Sequence, residues 1–570
     1  MSSERLFEIE KYPFGSRSLT KIGGRGFAEE LWPIVYILSD KETREAYIGE
    51  TVDVLSRFRA HLNNPEKKKL DSAHVISSEQ FHKSITLDLE SSLIKYMSGD
   101  GCYHLLNGNL GLVNHNYYGR QDVYDRLFVP IWERLRKEKL VSRTIRSIDN
   151  SDLFKYSPYK SLSIEQKAGL QKIISALVDP KIHNTIVQGG AGTGKTLLAV
   201  FLFKLLMTPV DDFRFEAFDE TDTILFDQIK RLKERYPAPK IALVIPMSSF
   251  RATIKKVFGH IHGLKSSMVI GPSQLAREDY DLIMVDEAHR LRRRVNLGAY
   301  FGVFDRVCRH FQMDKTRASE LDWIFRQSKK RIFLYDEYQS VRPSDVHHSI
   351  FDNLKNRKDT QVQELKSQFR VKGGNRYVKF VDDLLRVKCK PGSGKYAATN
   401  YELYLFDNIK DMVEHVKTQD AAYGLSRLIA GYSWEWKSRK DATAYDIEIG
   451  RVRLKWNRAN IDWVNSENSV NEVGCIHTTQ GYDLNYAGVI FGNEISYDPV
   501  KKKMVIHEDR YFDKNGKQGI REPRQLEEYI IHIYKTIMLR GIRGTYVYVC
   551  NDGLREYFAR YIHSFSRGNS

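Results

Sequence analysis

An apolar stretch, Thr185-Ile186-Val187-Gln188, runs into Gly189-Gly190-Ala191-Gly192-Thr193-Gly194-Lys195-Thr196 and then into helix-forming residues 197–206. Strand, glycine-rich loop and helix in that order leave few folds open. The glycines, Gly189, Gly192 and Gly194 among them, let backbone N–H groups turn inward around phosphate oxygens. The helix N-terminus adds partial positive charge. Lys195 can reach the β- and γ-phosphates, and the Thr196 hydroxyl can ligate Mg²⁺. A second apolar strand over residues 281–285 ends at Asp286-Glu287-Ala288-His289. Ligands of open α/β sheets sit beyond the C-terminal ends of the strands. Asp286 is therefore expected in the Mg²⁺ shell, and Glu287 is expected to orient or deprotonate the attacking water. Loop and carboxylates together predict a nucleotide hydrolase.

The chain is long enough for three or four domains at 570 residues. With 42% hydrophobic and 12% aromatic residues it reads as globular rather than disordered. No apolar run approaches the roughly 18 residues of a membrane span, and the N-terminus lacks the apolar region of a secretory signal. The five cysteines are scattered, with no CxxC pair, so neither a disulfide framework nor a thiolate zinc site is expected. The expected compartment is the cytoplasm. Lys+Arg total 89 against 72 Asp+Glu, a net charge of +17. Residues 1–125 hold 15 basic and 18 acidic residues, a net of −3, so the whole excess lies after them. A basic surface that large calls for a polyanion, with nucleic acid first among candidates.

After residue 160 the pattern repeats strand, loop, helix, as α/β units with parallel sheets do. Residues 126–150 carry Leu127, Ile131, Leu135 and Leu140 at near-helical spacing among basic residues, and read as a connecting helix. Further stretches follow in a fixed order. Residues 162–170 include Gln166. A strand over 241–246 precedes Met247-Ser248-Ser249-Phe250-Arg251, and residues 331–339 end in Gln339. Then come Ser367-Gln368-Phe369-Arg370, Thr478-Thr479-Gln480-Gly481-Tyr482-Asp483 and Met538-Leu539-Arg540-Gly541-Ile542-Arg543. Over residues 155–560 this order resembles a superfamily-one helicase. Residues 426–436 and the last stretch narrow the resemblance to the Schlafen-type branch of DNA/RNA helicase domains. The box at 286–289 taken alone is that of a different helicase superfamily.

The resemblance implies two RecA-like motor domains with ATP between them. It assigns adenine reading to Gln166, γ-phosphate sensing to Gln339, and charge neutralisation on the γ-phosphoryl to Arg370 and Arg540. Hydrolysis would open and close the cleft and step the motor along a single-stranded segment. Tyr432, Trp434 and Trp436 alternate at strand period, which suits either base stacking or packing within the second motor domain.

The N-terminal region has its own pattern. A strand over 34–38 carries Tyr36, and Tyr47-Ile48-Gly49 follows eleven residues beyond it. A helix over 55–61 carries Arg57 and His61 one turn apart. A further helix carries Glu90, and Asn107 comes after it. Over residues 30–110 this order resembles the GIY-YIG endonucleases, with Ile34-Val35-Tyr36 in place of Gly-Ile-Tyr. The resemblance implies that Glu90 holds one divalent metal, Mg²⁺ or Mn²⁺, and that Arg57 stabilises the phosphate. Tyr36 would help activate water, Tyr47 line the site, His61 carry a proton or contact phosphate, and Asn107 brace the site.

The expected architecture is α/β throughout: a small GIY-YIG nuclease domain (1–125), a basic helical linker (126–160), and two RecA-like parallel-sheet motor domains (161–350 and 351–570). The function expected is an ATP-driven nucleic-acid translocase with a fused metal-dependent endonuclease, DNA ahead of RNA as the polymer. Bacterial antiviral defence is the first setting and repair the second. The competing reading is an NTP-gated sensor whose N-terminal domain binds without cutting.

Overall fold

The computed structural model describes residues 6–108, 117–160, 162–190, 192–209, 223–339, 343–366, 371–459, 462–479, 482–517, 520 and 522–566. The chain divides into two compact units. One takes in residues 1–178, 196–239 and 253–269; the other takes in 179–195, 240–252 and 270–570.

The first unit is organised on a five-stranded sheet: β1 (Glu8–Pro13), β2 (Ile34–Asp40), β3 (Glu45–Thr51), β4 (Ser72–Ser77) and β5 (His104–Leu105), in the order β1-β4-β2-β3-β5. All pairings are antiparallel except β3–β5. The strands are apolar on both faces, so helices must cover both. Val35, Ile37, Ala46, Ile48 and Ile76 pack on one side against α2 (Lys83–Asp100), through Ile85, Leu89 and Leu93. Ile34, Tyr36, Leu38, Tyr47, Ala73 and Val75 pack on the other against Val54 and Phe58 of α1 (Val54–Asn63). The two-residue period of β2 thus places Tyr36 on the α1 side. Helix α1 starts at Asp53, whose carboxylate accepts the Ser56 N–H at 2.9 Å.

The segment read as a linker belongs to this core. Residues 124–128 form a π-helical turn, followed by α3 (Val129–Lys137). Leu127, Phe128, Ile131, Trp132, Leu135 and Leu140 are buried in one cluster with Val35 and Ile37. The Asp100 carboxylate, at the end of α2, accepts the backbone N–H groups of Ser142 and Arg143. The apolar stripe is as the periodicity shows; what it faces is the five-stranded sheet. The helix also stops earlier than the sequence pattern, at Lys137, and Lys139 takes a left-handed conformation at φ +59°. Helix α4 (Ile164–Val178) lies in the same unit.

The second unit contains two sheets. The first comprises β6 (Asn184–Gly189), β7 (Ile241–Val244), β8 (Val269–Ile270), β9 (Tyr280–Val285), β10 (Ser328–Tyr335) and β11 (Thr360–Leu365), in the order β11-β6-β10-β9-β7-β8. The β11, β6, β10, β9 and β7 pairings are all parallel. Strand β11 pairs with β6 from Thr360 to Leu365, so the first motor sheet runs past the expected boundary at 350. Helix α5 (Lys195–Met207) follows the glycine loop after β6.

The second sheet comprises β12 (Glu402–Phe406), β13 (Ser426–Ala430), β14 (Ile447–Ile449), β15 (Val452–Trp456), β16 (Glu472–Gly474), β17 (Leu484–Phe491), β20 (Gly541–Val549) and β21 (His563–Ser564). A hairpin of β18 (Ile495–Asp498) and β19 (Lys503–Ile506) stands apart from it. Helices α6 (Gly374–Leu385) and α7 (Pro523–Met538) bury Tyr377, Val381, Ile530 and Tyr534 against this sheet. Residues 431–437 form no strand. Tyr432, Trp434 and Trp436 pack half-buried on the core around Trp456, with Tyr432 stacked on Trp456 at 5.5 Å. Packing, not base stacking, accounts for these three rings.

Candidate nuclease site and nucleotide pocket

The nuclease residues converge within the first unit. Strand β2 pairs with β3 so that Tyr36 lies opposite Gly49. A Cβ on Gly49 would fall 2.2 Å from the Tyr36 hydroxyl, so only glycine lets the Tyr36 ring lie across β3. Arg57 Nε–H donates to the Tyr36 hydroxyl at 3.3 Å, and that hydroxyl hydrogen-bonds His61 Nε2 at 2.8 Å. Burial, then the charges of Lys67 and Arg57, push His61 down to about 3, so its imidazole is neutral. Tyr47 packs edge-on against His61, with centroids 4.9 Å apart. Asn107 braces β3 as a strand partner would: its Oδ1 accepts Ile48 N–H at 3.1 Å and its Nδ2 donates to Ile48 O at 2.8 Å.

Glu90 rides on α2 and is 7% exposed. Burial and the neighbouring Glu50 carboxylate push it up to about 8, against the pull of Arg57 and Lys83. The field of Arg57 thus reaches both His61 and Glu90, which joins the α1 side of the site to the α2 side. Glu50 itself is ion-paired with Lys83 at 2.6 Å. A buried carboxyl this reluctant to ionise releases its proton to solvent when a cation shares its oxygens, and hard oxygen donors suit divalent ions such as Mg²⁺ or Mn²⁺. Among the described residues no group of three or more His, Cys, Asp or Glu is placed to hold an ion. A divalent ion on Glu90 would complete its shell with water and substrate oxygens, as Mg²⁺ commonly does.

The nucleotide pocket lies in the second unit. A cavity of about 360 Å³ is lined by Gln188, Gly189, Gly190 and Thr193 of the loop, Asp336 and Gln339 after β10, and Lys535 and Leu539 at the end of α7. Gly192 and Gly194 both sit at φ +83°, the left-handed conformation that turns the loop inward. Lys195 Nζ donates to the carbonyls of Gly189 at 2.6 Å and Gly190 at 2.9 Å, and lies 3.9 Å from Asp336 Oδ2. Gln339 Nε2 donates to Asp336 Oδ2 at 2.6 Å, while its Oε1 is buried with no hydrogen-bond partner among the described residues. That orphaned acceptor and the inward loop fit a nucleotide that brings phosphates and water.

Asp286 is 1% exposed at the end of β9. Glu287 follows at φ +53°, a strained conformation for a glutamate and of the kind that collects at functional sites. Its carboxylate meets His289 Nε2 at 2.9 Å. Burial alone would raise the carboxyl, but His289, Lys195 and Arg540 hold it well below the usual carboxylate range. The charge of Arg540 therefore acts on Glu287 from the second motor sheet. Arg540 is 1% exposed and donates to Tyr482 O at 3.1 Å.

A family model described as Schlafen group 3, DNA/RNA helicase domain, matches residues 183–551. The chain belongs to the Schlafen group 3 helicase family. A second model, the GIY-YIG catalytic domain, matches residues 33–96. This Schlafen-family chain therefore joins an ATP-hydrolysing helicase to a GIY-YIG endonuclease and acts on nucleic acid. An uncharacterized protein of Saccharomyces cerevisiae is 25% identical over 406 residues, 66% of this chain and 83% of its own length. Among solved structures, the Pif1 helicase from Bacteroides in complex with ADP-AlF3 and ssDNA aligns with 66% of this chain and 91% of its own, at 10% identity and a TM-score of 0.26. The Pif1 helicase from Candida albicans aligns with 71% and 97%, at 12% identity and a TM-score of 0.26.

Not every residue singled out in the sequence reaches a site. Gln166 Oε1 accepts Ser163 N–H at 3.0 Å and its own N–H donates to Ser163 Oγ at 3.1 Å, so it closes the start of α4 as a capping box. Arg251 donates to Ile245 O at 2.6 Å and so ties the end of β7. Arg370, Gln480 and Gly481 lie outside the described residues. Thr196 is the second residue of α5. Conversely, Glu50, Lys83, Lys67 and His289 stand among the Schlafen-family chain's candidate site residues without having been singled out for a role. Glu50 follows directly on Tyr47-Ile48-Gly49, a position next to a motif that deserved a role. His289 ends the box at 286–289.

Proposed function

We propose that the chain is a divalent-metal-dependent DNA endonuclease whose cutting domain is served by an ATP-driven motor that holds a single-stranded segment. The observation that carries this reading is the hydrogen-bonded run Arg57–Tyr36–His61, with the charge of Arg57 also acting on Glu90. Arg57 would hold the phosphate and favour charge build-up on it. The Tyr36 hydroxyl, already bonded to a neutral His61, would pass a proton from the attacking water to Nε2. Asn107 and Gly49 keep β3 and the Tyr36 ring in register. Glu90 would hold the metal, which when bound supplies Lewis-acid stabilisation of the leaving oxygen. In the motor, Lys195 and Thr196 would meet the phosphates and Mg²⁺ of ATP, with Asp286 in the same shell. Glu287, held ionised by His289, would orient the attacking water, and Arg540 and Gln339 would respond to the γ-phosphate.

DNA is the polymer this reading favours. A fused motor and cutter suits destruction of foreign DNA in the cytoplasm, a setting argued from architecture. The test is Mg²⁺-dependent nicking of supercoiled plasmid by wild type and Glu90→Gln, run beside ATPase stimulation by single-stranded DNA, duplex DNA and RNA. Nicking by wild type alone and strongest stimulation by single-stranded DNA are expected. Equal nicking by both proteins removes Glu90 from the mechanism, and stimulation by RNA alone overturns the DNA assignment.

A further inference from the structure

The turn after α1, Lys67-Lys68-Lys69, is a short 3-10 helix. It is well fixed: Asn64 Oδ1 accepts the backbone N–H groups of Glu66 at 3.0 Å and Lys67 at 3.1 Å, and Leu70 behind it is buried. Lys68 and Lys69 point to solvent, whereas Lys67 is half-buried. Its ammonium lies over the Tyr47 ring, 4.0 Å from the centroid. Tyr47 in turn packs on His61, the hydrogen-bond partner of the Tyr36 hydroxyl.

Two positive charges thus approach one neutral imidazole from different elements, Arg57 from within α1 and Lys67 from the turn beyond it. The Tyr47 ring beneath the ammonium is itself buried. What this convergence attracts strongly is an anion lying between the two cations. Arginine suits fork-like recognition of a phosphate, and lysine acts on one as a point charge.

We propose that Lys67 is a second phosphate contact of the nuclease site, holding a backbone phosphate next to the one that is cut. The proposal rests on reading the Tyr36–Glu90 cluster as the nuclease centre. Arg57 serves the reacting phosphate; Lys67, reaching across Tyr47, fixes the strand so that this phosphate sits before Tyr36.

The experiment uses the full chain under single-turnover conditions with Mg²⁺, on a duplex oligonucleotide spanning a mapped cut. Lys67→Ala is expected to slow cleavage about 10–100-fold, the scale of a lost charged positioning contact. Lys67→Arg and the double variant Lys68→Ala/Lys69→Ala are expected within about 3-fold of wild type, since charge is kept or lies elsewhere. The decisive arm replaces each neighbouring phosphate in turn by an uncharged methylphosphonate. At the contacted position, Lys67→Ala should then add less than about 3-fold, because its partner charge is gone. Wild-type cutting by Lys67→Ala, with Glu90→Gln inactive, overturns the Lys67 assignment alone. So does a Lys67→Ala penalty of full size on every methylphosphonate substrate. Cutting by Glu90→Gln at the wild-type rate overturns the nuclease reading beneath it.

Discussion

The nuclease site and the nucleotide pocket hold their reactive groups differently. Around Tyr36 the candidate catalytic side chains bond to one another: Arg57 to Tyr36 and Tyr36 to His61. They stand on strands and helices that share one sheet and two packed faces. In the pocket the key cation bonds to the loop it serves, with Lys195 on the carbonyls of Gly189 and Gly190. The pocket's other walls come from the ends of β10 and β11 and from α6 and α7. The first arrangement is set before substrate arrives. In the second, Lys195 must exchange two backbone acceptors for phosphate oxygens, so nucleotide binding is itself a rearrangement. Cutting should therefore need no nucleotide to assemble its centre.

The largest test of that contrast is Lys195→Ala in the full chain. ATP hydrolysis should fall by about 10³-fold or more, while nicking measured without ATP stays within about 2-fold of wild type. Nicking lost along with ATPase would show that the nuclease centre depends on the motor.

Next in size is Tyr36→Phe, which keeps the ring and removes the hydroxyl that links Arg57 to His61. Single-turnover cleavage should drop about 10²-fold, the usual worth of a proton-transferring group, with ATPase unchanged. A drop under about 3-fold would assign the proton to another group.

A pair of glycine variants compares the two regions by stability. A Cβ at Gly49 meets the Tyr36 hydroxyl at 2.2 Å, whereas one at Gly190 meets nothing within 4 Å. Gly49→Ala should cost about 1–3 kcal/mol of unfolding free energy, as overpacking does, and Gly190→Ala less than about 0.5 kcal/mol. Chemical denaturation of both reads this out, and equal stability would mean that β3 shifts to make room.

The smallest effect expected is in pH. His61 in the folded chain lies at about 3, below its ordinary value near 6.5. Its contribution to stability is therefore complete above pH 6.5 and declines as pH falls towards 3, because the unfolded chain binds the proton first. Denaturation midpoints should fall between pH 6.5 and 4, and less steeply in His61→Gln. A cleavage profile with a limb near 6.5 that disappears in His61→Gln would place the imidazole in water instead.

Charge tells a related story about boundaries. Counted to residue 125 the N-terminal region has a net of −3, but its core continues through Tyr159. Counted to residue 160 it holds 24 basic and 22 acidic residues, a net of +2. The acidic cutter inferred from the sequence is a product of where the count was stopped. A fragment ending at 125 would also lose Phe128, Ile131 and Trp132 from its core.

Much of both sites is legible in the chain because the signals are local. A glycine loop between strand and helix, a carboxylate pair ending a strand, and Arg57 one turn before His61 need no neighbours to be recognised. Misreadings arose where one local pattern serves two ends. Gln166, read as a nucleotide contact, also closes the start of its helix with Ser163. Tyr432, Trp434 and Trp436 have strand spacing without forming a strand. The Leu127–Leu140 stripe shows a buried face but not what buries it.

The sequence alone determined the chemistry available: the glycine loop, the tyrosines, the Glu90 carboxyl and the order in which they come. These follow from residue type and short-range spacing, which the chain carries with it in any conformation. Only the tertiary structure decided how those groups are tuned. Glu50 beside Glu90, Lys67 over Tyr47, and Arg540 acting on Glu287 join residues 20 to more than 250 positions apart. Burial and electrostatic fields are sums over neighbours in space, and no reading of spacing along the chain supplies those sums.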